Sequence, residues 1–301
     1  MTTPEEASPE VLVIGGGPAG LAAAMCLGRL RRRVLLVEDG TSRAAQIPCS
    51  HNQPGFPGGI AGHDLLAAMR RHAERYGTVF TRARVESLRT AGAGFRADWG
   101  GGHAIASKVV LATGVSDVAP AMAHLQQALH EGTLRFCPVC DGYEAIGRAV
   151  GVIVDSGGDT GEALYLRHFT DRLTVFVASR AVRFDNEQRQ ALATAGVTLR
   201  LEPVTGISLD AGLVKVRHGE RESVVDALYG ALGLRVHSEL ATALGAAHDQ
   251  GSLLTGHDQQ TDVPGLYAVG DVVKGLNQIT VANGQAAVAA SAIHLSLLAH
   301  R

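Results

Sequence analysis

The stretch that most constrains this chain lies within its first forty residues. Val11-Leu12-Val13-Ile14 is a short, largely β-branched run, and it ends on Gly15-Gly16-Gly17-Pro18-Ala19-Gly20. A helix-like segment at 21–30 follows, and then a second apolar run, Val34-Leu35-Leu36-Val37, which closes on Glu38. Two parallel strands need a crossover between them, so a strand–helix–strand unit this short belongs to a parallel sheet with helices on its faces. Gly15, Gly17 and Gly20 fit G-x-G-x-x-G, and an acid stands 18 residues after Gly20. Such glycines let the backbone approach a pyrophosphate at the positive end of a helix. Glu38 is suited to accept hydrogen bonds from ribose hydroxyls and to repel a 2′-phosphate. FAD or NAD is therefore favoured over NADP at this turn.

The rest of the chain repeats this architecture. Residues 1–10 form a polar tail, 65–76 read as a helix, and 79–89 and 95–99 read as meander strands. Val109-Val110-Leu111 is a buried strand running into Ala112-Thr113-Gly114. A second strand–loop–helix–strand pattern spans 149–177, with the helix near 162–169, and strands near 197–201 and 213–216 read as its tail. The apolar run 227–234 reads as the return of the chain to the first unit. Leu266-Tyr267-Ala268-Val269 is a last strand ending on Gly270-Asp271, and 278–298 reads as a long closing helix. The expected fold is α/β. One dinucleotide-binding unit is built from 11–115 and 236–301, and a second, 116–235, is inserted in it.

Composition removes other classes. Twenty-seven basic against 29 acidic side chains give a formal charge of -2, so nothing recommends nucleic acid or an anionic membrane as a partner. The one basic cluster, Arg29 with Arg31, Arg32 and Arg33, reads as a solvated helix end. Aromatics at 4% leave little for base stacking. The lysines are Lys108, Lys215 and Lys274, and none follows a glycine, so a Walker-type loop is absent. The acidic N-terminus has no apolar core of a signal peptide and no apolar run reaches about 18 residues, which makes a cytoplasmic protein without a membrane span the expectation. Of four cysteines, Cys137 and Cys140 form a CxxC pair, a spacing used for redox chemistry or metal binding. Metal would need two further ligands at suitable spacing, and Cys26 and Cys49 do not make a second pair, so no metal is expected. A redox pair needs one accessible, partly ionised thiol.

Several motifs in order narrow the reading. Strand-Gly-Asp at Gly270-Asp271 follows a lead that begins at Thr261, Thr113-Gly114 closes an earlier strand, and Asn52-Gln53-Pro54-Gly55-Phe56-Pro57 precedes Cys137-Pro138-Val139-Cys140-Asp141-Gly142. Together, over about residues 11–298, these resemble the low-molecular-weight thioredoxin reductases. The resemblance implies FAD held by Gly15, Gly17, Pro18, Ala19, Gly20, Glu38, Asn52, Thr113 and Gly114. It also implies Gly270 and Asp271 at the ribityl chain, and Gln278 and Ile279 at the pyrimidine edge of the flavin, with Asn277 where an arginine is usual. It implies that Cys140 faces the flavin, that Cys137 attacks an external disulfide and that Asp141 carries the proton. A homodimer, a rotation of one domain against the other, and a thioredoxin-like protein or a small disulfide or dithiol as partner are implied in the same way. The expected activity moves electrons from a donor through FAD and Cys137–Cys140 to that disulfide. The alternatives are a dithiol oxidase running the path backwards and a flavin-binding sensor without turnover, against which the intact CxxC argues.

The pattern departs from the family at the second nucleotide site. Its best frame is Ser156-x-Gly158-x-x-Gly161, without the first glycine, and Asp155 and Asp159 put negative charge where a pyrophosphate would lie. NADPH-using relatives carry His-Arg-Arg after the next strand. Here Val177-Ala178-Ser179-Arg180 leaves Arg180 and Arg183 to hold a 2′-phosphate. Two readings stand at this site: weak NADPH binding, with a ferredoxin-like protein or another reductant as donor, or a tolerated variant motif with ordinary NADPH use.

Overall fold

The structure, a computed structural model, describes residues 8–155 and 160–299. Two five-stranded parallel sheets organise them. The first runs Leu266–Ala268, Lys108–Leu111, Val11–Ile14, Val34–Glu38 and Val79–Arg82 from edge to edge. Its central strands are apolar at successive positions because both faces are covered. Val11, Val13, Leu36 and Val110 pack under helices Pro18–Arg29 and Ile279–Ala299, while Leu12, Ile14, Val109 and Leu111 pack on a three-stranded antiparallel layer through Leu88, Phe95 and Ala97.

Pro18 starts the first helix with φ already preset. A Cβ on Gly20 would lie 1.9 Å from the Gly15 oxygen, so only glycine lets this helix sit down on the turn. Helix Ile279–Ala299 has 21 residues and is long and apolar enough to cross a membrane, where the expectation was that its apolar stretch, 286–299, is too short to do so. Its inner face (Ala282, Ala286, Ala289, Ala290 and Ile293) instead joins the core beside Ala23 and Ala24 of the first helix.

The second sheet runs Thr198–Arg200, Arg172–Val177, Ala149–Val154, Ala227–Ala231 and Leu134–Arg135, backed by an antiparallel layer of Val204–Asp210, Leu213–His218 and Arg221–Val225. Val115–Asp117 and Leu234–Val236 pair antiparallel between the two sheets and carry the chain out and back.

Four local readings are corrected. The run 227–234 is not mainly a return: Ala227–Ala231 is an interior strand of the second sheet, with Leu228 and Tyr229 fully buried, and only Leu234–Val236 leads back. Val79–Arg82 joins the edge of the first parallel sheet, while the meander proper begins at Val85. Leu213–His218 is the middle strand of the antiparallel layer and not the tail of a parallel unit. Within the basic cluster, Arg32 is 6% exposed. Its Nη1 pairs with Glu10 Oε1 at 3.0 Å, its Nε reaches His294 Nδ1 at 3.0 Å and its Nη2 donates to the His294 carbonyl at 3.1 Å. Arg32 therefore ties the chain start, the end of the first helix and the last helix together.

Candidate functional site

A cavity of about 880 Å³ opens where the first glycine turn, the segment after Glu38, the Thr113–Gly114 turn, the CxxC segment and the start of the last helix meet. Gly15, Gly17, Pro18, Ala19, Glu38, Asn52, Thr113, Gly114, Cys137, Cys140, Asp141, Gly270, Asp271, Gln278 and Ile279 all line it. Gly20 lies behind the wall, buried in the first helix.

At one end the Glu38 carboxylate lies across the turn. A Cβ on Gly16 would stand 2.3 Å from Glu38 Oε2, so the glycine creates the space that this oxygen uses. Glu38 Oε1 is held by Arg70, whose guanidinium stacks 4.0 Å over the Phe80 ring. The glycine turn, with backbone N–H donors for a pyrophosphate, and the fixed carboxylate beside it, an acceptor for ribose hydroxyls, match what the adenosine end of FAD requires. Midway, Arg43 grips Asp117 with two bonds of 2.7 Å and reaches Asp271 at 3.3 Å. Burial pushes the Asp271 carboxyl up, and Arg43 pulls against it. Thr113 Oγ1 donates to the His237 carbonyl, and the His237 N–H donates to the Gly114 carbonyl at 3.0 Å.

At the other end is the disulfide. Cys137 and Cys140 are bonded, with Cα atoms 5.2 Å apart. Pro138 opens the short helix Pro138–Asp141, and Cys137 caps it: the Cys140 N–H donates to the Cys137 carbonyl at 2.9 Å and lies 3.1 Å from Cys137 Sγ. Gln278 Nε2 stands 3.2 Å from Cys140 Sγ and 3.8 Å from Cys137 Sγ, and Gln278 Oε1 accepts from Asn52 Nδ2 at 3.0 Å. Cys137 also borders a second cavity of about 410 Å³, walled by Val139, Tyr165 and Leu276 among others. The Cys140 sulfur thus sits against the last helix while Cys137 touches both spaces.

Asp141 has two partners from the second sheet. Arg135 and Tyr229 are opposite one another in the parallel register. Arg135 Nη1 meets Asp141 Oδ2 at 2.8 Å, and the Tyr229 hydroxyl donates to Asp141 Oδ1 at 2.9 Å. Burial pushes the Asp141 carboxyl above its ordinary value, and Arg135 and the Tyr229 hydroxyl only partly reverse this. Burial and the Asp141 charge push the Tyr229 phenol up in turn, so it stays a donor. The sequence carries no signal for Tyr229, which lies 88 residues from Asp141. Arg43, Asp117 and Arg70 were equally silent.

The second nucleotide site is placed only in part: Ser156, Gly158 and Asp159 lie outside the described residues. Gly161 starts the six-residue helix Gly161–Leu166. Asp155 is exposed at the strand end, with the Ser179 hydroxyl 3.5 Å from its Oδ1. Arg180 is exposed, whereas the Arg183 guanidinium folds back on its own turn, donating to the Arg180 carbonyl and, at 2.9 Å, to that of Val182.

Two parallel sheets of dinucleotide-binding type with a disulfide against the shared cavity define a class, the two-domain disulfide oxidoreductases. Comparison with known proteins agrees. The family described as "Pyridine nucleotide-disulphide oxidoreductase" matches residues 9–286. The thioredoxin reductase of Treponema pallidum is 30% identical over 302 residues, covering 95% of this chain and 96% of the relative. The crystal structure of HlmI superposes with a TM-score of 0.89 at 28% identity, over 99% of this chain and 95% of HlmI. An oxidoreductase from Agrobacterium tumefaciens gives 0.85 at 31%, over 97% and 99%. The chain belongs to the pyridine nucleotide-disulphide oxidoreductase family. It is a flavin-dependent disulfide oxidoreductase of thioredoxin reductase-like type.

Proposed function

We propose that this protein moves electron pairs between bound FAD, the Cys137–Cys140 pair and an external disulfide, in the manner of a thioredoxin reductase. The observation that carries the reading is the disulfide seated against Gln278 at the end of the cavity whose other end is the glycine turn. Gly15 and Gly17 with Pro18 and Ala19 form the pyrophosphate cradle, Gly20 behind them lets the helix sit down on the turn, Glu38 takes the ribose hydroxyls, and Asp271, oriented by Arg43, takes the ribityl chain. Asn52, Thr113, Gly114, Gly270, Gln278 and Ile279 complete the wall. When bound, FAD supplies two-electron exchange with a dithiol.

In the reduced state Cys137 is the thiol that meets the external substrate, because it borders both cavities. The Cys140 N–H already aimed at its sulfur holds the thiolate. Cys137 attacks one sulfur of the external disulfide and forms a mixed disulfide. Cys140 then displaces the second thiol and restores the pair. Asp141 exchanges the proton, and Arg135 and Tyr229 hold its carboxyl in place. The natural substrate in this reading is a thioredoxin-like protein or a small disulfide.

The electron donor is tested directly. Yellow protein is mixed anaerobically with NADPH, then NADH, then a dithiol, while oxidised-flavin absorbance is followed. Fast bleaching by NADPH makes it the donor. Bleaching by a dithiol alone favours a ferredoxin-like donor or dithiol oxidation, the reading that exposed Asp155 and the folded-back Arg183 support. Bleaching by none of the three sinks the relay. Disulfide-reducing turnover that survives Cys140→Ser sinks it as well.

A further inference from the structure

A second nucleophilic cluster stands outside the CxxC pair. Ser50 and Ile60 form an isolated antiparallel bridge, with bonds of 2.8 and 3.0 Å. In extended backbone, residues two apart share a face. Ser50 and Asn52 use one face, where the Ser50 hydroxyl donates to Asn52 Oδ1 at 2.9 Å and Asn52 reaches Gln278. Cys49 and His51 share the other, with Cys49 Sγ 3.5 Å from His51 Nε2. His51 Nδ1 in turn lies 2.9 Å from Glu144 Oε1, on the turn that follows the CxxC helix. An ionised carboxylate only accepts, so Nδ1 carries its proton toward Glu144 and Nε2 is left to accept from the thiol. Glu144 Oε2 is buried and has no hydrogen-bond partner among the described residues. Cys49 and His51 are both exposed and both line the large cavity. The other free cysteine, Cys26, is half-buried in the first helix, and burial pushes its thiol up.

We propose that Cys49, His51 and Glu144 form a second thiol-exchange site that takes up low-molecular-weight disulfides as mixed disulfides. The Cys49 proton passes to His51 Nε2, and the sulfur attacks one sulfur of R–S–S–R. The external S–S bond breaks, a Cys49–S–S–R bond forms, and the leaving thiolate takes the proton from His51 and departs as R–SH. Cys49 is oxidised, one external sulfur is reduced, and a second R–SH reverses the step.

The test treats the purified yellow protein, its Cys137–Cys140 disulfide intact, with bis(2-hydroxyethyl) disulfide at pH 7. The adduct is located and timed by peptide mass spectrometry. The adduct forms on Cys49, and His51→Ala slows it about tenfold or more, the scale of a positioned general base. Glu144→Gln slows it in the same direction. A slowing of less than threefold in His51→Ala overturns the proposal, and so does exchange confined to Cys137 and Cys140. Because His51 is exposed, that variant alone decides the matter should Glu144→Gln fail to fold.

Discussion

Replacing Tyr229 with Phe deletes one oxygen from the interior and leaves the ring in place. Tyr229 is fully buried, and because only the hydroxyl oxygen is removed the space left is a single atom and the change falls mainly on one interaction. Its hydroxyl donates to Asp141 Oδ1 at 2.9 Å and lies 3.1 Å from the Asp141 carbonyl. A hydrogen bond to a charged group contributes about 1.5–3 kcal/mol, one to a neutral group about 0.5–1.5 kcal/mol. Arg135 remains on Oδ2 at 2.8 Å, which puts the loss at the lower end, about 1.5–2 kcal/mol, when Asp141 is ionised. The sign with pH follows. Burial has already raised the Asp141 carboxyl, so its contribution is present in full below the ordinary aspartate range and is lost as pH rises through the raised folded value. Removing the hydroxyl takes away a donor to the charged form and raises that value further. The variant's penalty is therefore larger at pH 8 than at pH 3, below the ordinary aspartate range, by about 1 kcal/mol. Urea unfolding followed by far-UV circular dichroism at the two pH values reads this, and with a slope near 3 kcal/mol per molar the midpoint at pH 8 drops by about 0.5 M. Equal penalties at both pH values, or none at pH 8, would refute the placement of an ionised Asp141 against this hydroxyl.

Three further outcomes are expected. Arg32→Met removes a guanidinium buried among Glu10 and His294 and costs about 2–4 kcal/mol. Burial raises Glu10, but the Arg33 N–H and the Arg32 guanidinium outweigh it and hold Glu10 low, so its contribution is lost as pH falls through that lowered value. Thermal melts between pH 3 and 7 should show the wild type's advantage over Arg32→Met shrinking toward the acid end, and a constant gap counts against the pair. Gly20→Ala drives a Cβ to 1.9 Å from the Gly15 oxygen and should cost more than about 4 kcal/mol, seen as a collapse in melting temperature; wild-type melting would contradict the packing. Glu38→Ala should weaken FAD retention about tenfold or more, read by fluorescence titration of released flavin. Variant protein that stays fully yellow through gel filtration contradicts the ribose assignment.

The first strand–turn–helix–strand unit was legible because its signals are local. Four apolar residues in a row, glycines at fixed offsets and an acid at the next strand end need no distant partner to be read. The CxxC pair was legible for the same reason, since a ring closed between i and i+3 is a property of a few adjacent residues. Two of the misread strands have remote partners, whereas Leu213–His218 pairs with its sequence neighbours Val204–Asp210 and Arg221–Val225 and was misread because a hairpin strand and a parallel strand look alike in a short apolar run. The run 227–234 has the apolar look of any buried strand, and only its pairing with Ala149–Val154 and Leu134–Arg135 puts most of it inside the second sheet.

The same division runs through the site. Spacing alone marked the class of fold, the glycine turn, Glu38 and the CxxC pair. The environment of Asp141 was decided elsewhere. Arg135 stands only six residues before Asp141, but the Tyr229 donor comes from a parallel register between strands far apart in the chain. The grip of Arg43 on Asp117 and Asp271, and the meeting of Cys49 and His51 with Glu144, are likewise products of assembly. Backbone geometry is a short-range property and leaves a mark in neighbouring residues. Desolvation and Coulomb interaction act through space between groups the chain brings together only on folding, so their partners leave no mark in the order of the residues.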